Sequence, residues 1–252
     1  MNRIRTGRAL ALATLVLAAN AAGARAQQAL PPAAQIVDKY TQAIGGKAML
    51  GRFNARHTVA EMSMPAMGMT MTMDVYQARP NKVFTRMDMG AMGTVTGGYD
   101  GTVAWSNSSM QGPRILTGAE LNESVSRGTF DSNLDMAASF PTMETVGARS
   151  VAGQDCWDVR MVSKTGVEMR NCFNKTTGLL VATVMKQQSQ MGEMEVEMVY
   201  SDYKAFDGIQ MPTRTTMNMM GQQMVTTVKS VSHEAIPDTV FALPAEIRAL
   251  QH

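Results

Sequence analysis

Cysteine, histidine and aromatic residues are all scarce in this 252-residue chain: two cysteines, three histidines and 6% aromatics. Two cysteines can close one disulfide but cannot build a zinc site of four thiolates, and no C-x-x-C is present. His57, His233 and His252 stand far apart, and none has a neighbour at metal-ligand spacing. There is no G-x-S-x-G, H-E-x-x-H, phosphate-binding loop or G-x-G-x-x-G. Glu193, Glu195 and Glu197 alternate with Met194, Val196 and Met198, so they read as the wet face of a strand and not as a glycosidase pair. The expectation is a protein that is not an enzyme, with no catalytic residue, no metal site and no cofactor.

Long apolar runs are missing as well. The run Ala9–Ala19 is too short to span a bilayer. Arg3, Arg5 and Arg8 precede it and Ala24-Arg25-Ala26 follows it, so residues 1–26 read as a cleaved signal peptide and the expected location is the periplasm. No cysteine near the cleavage site offers a lipid attachment point. Those residues carry four arginines (Arg3, Arg5, Arg8, Arg25) and no acid. Without them, 19 basic residues face 21 acidic ones, and the net charge goes from +2 to −2. No basic patch remains for nucleic acid. Residues 27–252 are expected to form one domain.

Methionine, in contrast, is plentiful, with 25 residues. Six of them fall between Met62 and Met73, and Met69-Thr70-Met71-Thr72-Met73 alternates strictly, as a strand with one apolar face does. Strands at Ala55–Met64 and Met69–Ala78 flank Pro65-Ala66-Met67-Gly68, which sets Met64 opposite Met69 and Met62 opposite Met71. A three-residue loop at Arg79-Pro80-Asn81 sets Met73 opposite Met87 and Met71 opposite Met89, with Asp74–Arg86 and Tyr76–Phe84 on the other face.

Upstream, Ala33–Ile44 is an amphipathic helix with Ile36, Val37, Tyr40 and Ile44 on one stripe, stopped by Gly45-Gly46. Downstream, Asp100-Gly101 marks a hairpin between Thr94–Tyr99 and Thr102–Ser106. Thr117 and Glu120 suggest a capping box for a helix to about Val125, and Leu134–Phe140 is helix or loop. Strands follow at Gln154–Val162, Val167–Asn174, Gly178–Gln187, Met194–Lys204, Met211–Met220 and Gln223–Ser232. The fold class is mainly β, with about 10–11 antiparallel strands; a sheet that large tends to curl. Cys156 and Cys172 lie eight residues either side of Lys164, so a hairpin turning there sets them opposite each other. A cross-strand disulfide is expected.

Several stretches together resemble a known group: I-V-D-K-Y-T-Q-A-I-G-G-K from Ile36, A-R-P-N-K from Ala78, Y-D-G-T-V-A-W from Tyr99, T-G-L-L from Thr177, S-D-Y-K-A-F-D-G-I-Q-M-P from Ser201 and P-D-T-V-F-A-L-P from Pro237. In this order they look like the bacterial outer-membrane lipoprotein-sorting-like proteins, related in fold to the lipoprotein carriers LolA and LolB. The resemblance implies a strongly curved antiparallel half-barrel, with an N-terminal helix and short helices over an apolar concave face that shields acyl chains. It also implies kinship in fold with a sensor of envelope stress that controls an anti-sigma factor.

On this reading the concave face comprises Met62, Met64, Met69, Met71, Met73, Met87, Met89, Trp105, Met194, Met198, Met217 and Met219. Three uses of it compete: ordinary packing under the helices, a groove for a lipid or lipoprotein acyl chain, and a thioether site for Cu(I). A sensor or interaction module docking an envelope protein is a further alternative.

Overall fold

The computed structural model describes residues 29–189, 192–219 and 222–251. The leader expected over residues 1–26 lies outside them, as does the turn at Gly221. Six strands form in the first half: β1 (Ala55–Met64), β2 (Met69–Ala78), β3 (Lys82–Asp88), β4 (Thr94–Tyr99), β5 (Ala104–Ser108) and β6 (Gly112–Ile115). Seven form in the second: β7 (Thr142–Val151), β8 (Gln154–Val162), β9 (Glu168–Asn174), β10 (Leu180–Ser189), β11 (Gly192–Phe206), β12 (Ile209–Met219) and β13 (Gln222–Ser232).

Among the described residues these make one antiparallel sheet, ordered β6-β5-β4-β3-β2-β1-β13-β12-β11-β10-β9-β8-β7. It is open, with β6 and β7 as its edges. The expected mainly β half-barrel forms, with thirteen strands in place of 10–11. On its outer face Arg149 of β7 bonds Glu197 of β11 at 2.6 Å, although β8, β9 and β10 lie between them in the sheet, so the β7 edge folds over that side. The two unanticipated strands, β6 and β7, are the two edges. β6 is four residues long and contains Pro113, which an edge tolerates. β7 alternates exposed and half-buried positions without an apolar alternation to announce it.

Five α-helices are described: α1 (Ala33–Ala43), α2 (Gly46–Leu50), α3 (Gly118–Gly128), α4 (Met136–Ser139) and α5 (Ala245–Arg248). Helix α1 matches its expected span, and its apolar stripe is the buried one. It stops at Gly45, whose φ of 129° suits glycine. A Cβ there would also stand 2.8 Å from the Gly208 carbonyl, and next to it the Gln210 N–H donates to the Ile44 carbonyl at 3.0 Å. The glycine thus lets α1 close onto the β11–β12 turn.

Helix α3 forms, but its expected capping box does not. The Thr117 side chain makes no capping bond. Glu120 is taken instead by Arg114, in a two-pronged pair at 2.7 and 2.8 Å, a stronger partner than a backbone N–H. That pairing holds the Glu120 carboxyl below its usual range. The ambiguous Leu134–Phe140 segment contains α4, capped by Asp135, whose carboxylate accepts from the Ala138 N–H at 3.0 Å.

One face of the sheet, here the inner face, carries helices α1 and α3. Tyr40, Ile36, Val37 and Ile44 of α1 pack with Val159, Met161 and Phe173 of β8 and β9. Leu121 and Val125 of α3 pack with Val83, Tyr99 and Ala104 of β3–β5. The C-terminal segment crosses the outer face instead, where Lys82 donates to Asp238 at 3.0 Å and Asn107 to Glu246 at 3.1 Å.

Cys156 and Cys172 are bonded, with Cα atoms 5.4 Å apart, within the normal range. They are not directly opposite, however. The hairpin is centred on Thr165, so Cys156 faces Asn174 and Cys172 faces Asp158, and the bridge runs diagonally. It lies on the outer face with Val151, Val181 and Ala182. Replacing both cysteines by alanine is expected to lower the unfolding free energy by about 3 kcal/mol, the loop-closure value for a loop of this length. Because the bridge faces away from the methionines, ligand retention should be unchanged. Urea unfolding of both forms measures the first effect, and native mass spectrometry the second.

Candidate functional site: a methionine-lined inner face

The register of β1–β3 follows the expected one. Met62 faces Met71, Met64 faces Met69 and Met73 faces Met87. Asp74 faces Arg86 and Tyr76 faces Phe84 on the outer side. Period-two alternation then fixes which side chains share the inner face. The β1 positions there are Arg56, Thr58, Ala60, Met62 and Met64. Across β13 and β12 the same face carries Thr226 and Met224, then Thr215 and Met217. On β11 it carries Met194, Val196, Met198 and Tyr200. Nine of the twelve expected residues are thus brought onto one face: Met62, Met64, Met69, Met71, Met73, Met87, Met194, Met198 and Met217. Met71 is 4% exposed, and the other eight are half-buried.

Three behave differently. The β2–β3 ladder ends at Thr72–Asp88, so Met89 falls in the following turn and never pairs with Met71. Trp105 faces Gly98 on the outer side, at the end of an aromatic row with His57, Tyr76 and Phe84. The side chain of Met219 lies outside the described residues; its backbone pairs with Gln222.

The sequence reading missed five methionines of this face: Met143, Met161, Met169, Met185 and Met224. Met143, Met161, Met169 and Met185 stand opposite one another in turn across β7, β8, β9 and β10, and Met185 faces Val196 of β11. Met198, Met217 and Met224 make a second row across β11, β12 and β13. Every strand from β7 through to β3 therefore presents thioether on the inner face. Met185 and Met169 sit two or more strands from the run at Met62–Met73, and a single methionine per strand gives no local pattern.

The helices sit at the two flanks of this face. Helix α1 lies against β7, β8 and β9, and α3 against β3, β4 and β5. Two cavities adjoin the face. One, of about 340 Å³, lies under α3 and includes Met87, Val95 and Arg114 in its wall. The other, of about 280 Å³, lies under α1 and is walled by Tyr40, Arg56, Phe130, Tyr200, Tyr203 and His233, among others. Burial raises the pKa of all three of these tyrosines, so they remain protonated donors. Tyr203 donates to the Leu180 carbonyl at 2.8 Å.

The model of one protein family, described as a domain of unknown function (DUF4412), matches residues 119–247, just over half of the chain. The chain belongs to the DUF4412 family. The matched span of this DUF4412 protein runs from α3 to α5 and includes β7–β13. No curated protein matches.

Among solved structures, a LolA-superfamily protein from Nitrosomonas europaea superposes with a TM-score of 0.58 at 14% identity, covering 84% of this chain and 98% of its own. A DUF1329-family protein from Desulfovibrio piger gives 0.57 at 14% identity, covering 84% and 97%. A domain named for outer-membrane lipoprotein sorting, from Vibrio parahaemolyticus, gives 0.52 at 10% identity, covering 82% and 94%. At these identities the likeness is one of fold: the DUF4412 chain has a LolA-like fold. Among the described residues there is no cluster of three His, Cys, Asp or Glu side chains able to hold a metal, and no helix long and apolar enough to cross a membrane.

Proposed function

We propose that this protein is a periplasmic carrier that holds a lipid or lipoprotein acyl chain against its methionine-lined inner face. The observation that carries the reading is the continuity of that face, with thioethers on every strand from β7 to β3. Methionine has three rotatable bonds and a polarisable sulfur, so a half-buried methionine wall can open around apolar chains of varied shape. Each ligand methylene buried there contributes about 0.8 kcal/mol. The arginine-led N-terminus, read as a signal peptide, supports delivery to the periplasm. A fold shared with a domain named for lipoprotein sorting supports the cargo class.

The test uses Met73 and Met87, which face each other and are half-buried. Met73→Lys with Met87→Glu places an opposite-charge pair on the sheet, which it tolerates, in the middle of the apolar wall. Lipid co-purifying with the wild type, weighed by native mass spectrometry, is expected to fall at least tenfold in the variant while the β circular dichroism is kept. A folded variant that retains as much lipid as the wild type would remove this face as the binding site.

The Met198–Met217–Met224 row also favours a second reading, in which thioethers from adjacent strands bind Cu(I). Anaerobic Cu(I) titration against a competing chelator decides it. Affinity no better than that of free methionine rejects copper.

A further inference from the structure

The cavity under α1 contains a cation without a counter-ion. Arg56 is on the inner face of β1, half-buried, and points its Nε and Nη2 at the side-chain oxygen of Gln77, with Nε at 3.2 Å. Gln77 is itself held in place, since its Nε2 donates to the Arg127 carbonyl at 2.9 Å. The Phe130 ring centroid lies 5.8 Å from the guanidinium carbon. Among the described residues, no carboxylate pairs with Arg56. Asp131, in the wall of the same cavity, is already taken by Arg79, whose Nε reaches both carboxylate oxygens at 2.8 and 2.9 Å. A neutral amide and an aromatic face compensate a buried cation only in part. Burial accordingly pulls the Arg56 pKa below its usual value.

Two further polar residues lie in the wall of this cavity. Tyr40 is 7% exposed, and burial keeps its hydroxyl protonated. The His233 side chain is 3% exposed; its Nδ1 is 2.9 Å from Asp207 Oδ2, while its Nε2 is buried without a partner. Buried polar groups are normally satisfied. A cation and a neutral hydroxyl donor in the wall of one cavity are the complement of an anion. From Arg56 to Met62 is six residues along β1, about 20 Å at the rise of a strand, so the cavity lies at one end of the methionine face.

We propose that this cavity takes the anionic head group, a carboxylate or a phosphate, of a single-chain amphiphile whose tail lies along the methionines. Arg56 supplies the charge and its free N–H groups, and Tyr40 supplies a neutral donor. The inference rests on the carrier reading given above and adds the class of ligand.

The probes are palmitate, a one-chain palmitoyl phosphate lipid and hexadecanol, titrated into the wild type, Arg56→Met and Tyr40→Phe. Wild type is expected to bind the better of the two anions at least tenfold more tightly than the alcohol, and which anion wins identifies the head group. Arg56→Met should lose about 10- to 100-fold for that anion, the value of hydrogen bonds to a charged group, and should bind the alcohol as before. Tyr40→Phe, which keeps the ring on Phe173, should lose severalfold and provides the answer if Arg56→Met does not fold. Relief of an uncompensated buried charge should also raise the melting temperature of Arg56→Met. Equal binding of anion and alcohol by wild type, or unchanged anion affinity in folded variants, overturns the head-group site and leaves the carrier reading standing. Binding of none of the probes overturns both.

Discussion

Replacing Phe173 by alanine should lower the unfolding free energy by about 3–5 kcal/mol, the range for emptying a buried aromatic site. Phe173 is 1% exposed, on the inner face of β9. Its ring centroid lies 5.2 Å from that of Tyr40 on α1, at a tilt of 54°. Around it pack Val159 and Met161 of β8, with Trp157 and Leu180 at the margin. The strands on either side are fixed by their ladders, so the hole cannot close by moving the backbone. The upper part of the range is therefore expected. Phe173 is also the floor on which Tyr40 rests, so the same change should loosen the cavity beside Arg56. Urea unfolding followed by circular dichroism gives the first number. A loss below about 1 kcal/mol would mean that α1 is not docked on β8 and β9 as described.

How far the sequence revealed this arrangement depends on how local each cause was. The methionine pairs of β1–β3 were legible because two short loops, Pro65–Gly68 and Arg79–Asn81, fix the register within a few residues. The disulfide was legible as a pair but not in its geometry. Its hairpin turns about Thr165, where the Ser163 Oγ accepts from the Val167 N–H at 3.0 Å, one step from the centre that symmetry about the cysteines suggests. The side of Trp105 was not legible, because the segment that crosses its face, from Asp238 to Gln251, comes more than 130 residues later. The methionines of β7–β10 could be joined into a row only once three successive registers were known. Arg56 carried no signal at all. Its lack of a partner is a property of a cavity whose walls come from α1, β1, β11, β12 and the turn at Phe130.

Removing the Asp158 carboxylate should cost about 3–5 kcal/mol, the range for breaking a buried ion pair from one side. Asp158 lies on the outer face of β8 with its side chain 4% exposed. It accepts from Arg170 of β9 and sits 3.8 Å from the Arg149 Nε of β7. Arg149 in turn reaches Glu197 of β11. The cluster ties the end of the β7–β8 hairpin over the outer face of β9–β11, beside the disulfide. Its hydrogen bonding is incomplete, since Asp158 Oδ1 and the Arg149 Nε and Nη2 are buried without partners. With Asp158→Ala, Arg149 keeps only the half-exposed Glu197, and its buried face stays charged. The double change Asp158→Leu with Arg149→Met removes both charges and fills the space with apolar atoms. It should recover most of the loss, because buried pairs are often replaceable in this way at no net cost. Urea unfolding of the single variants and the double measures the coupling between the two residues. A single variant as stable as the wild type would show that the disulfide and the β7–β8 ladder hold this edge without the ion pair.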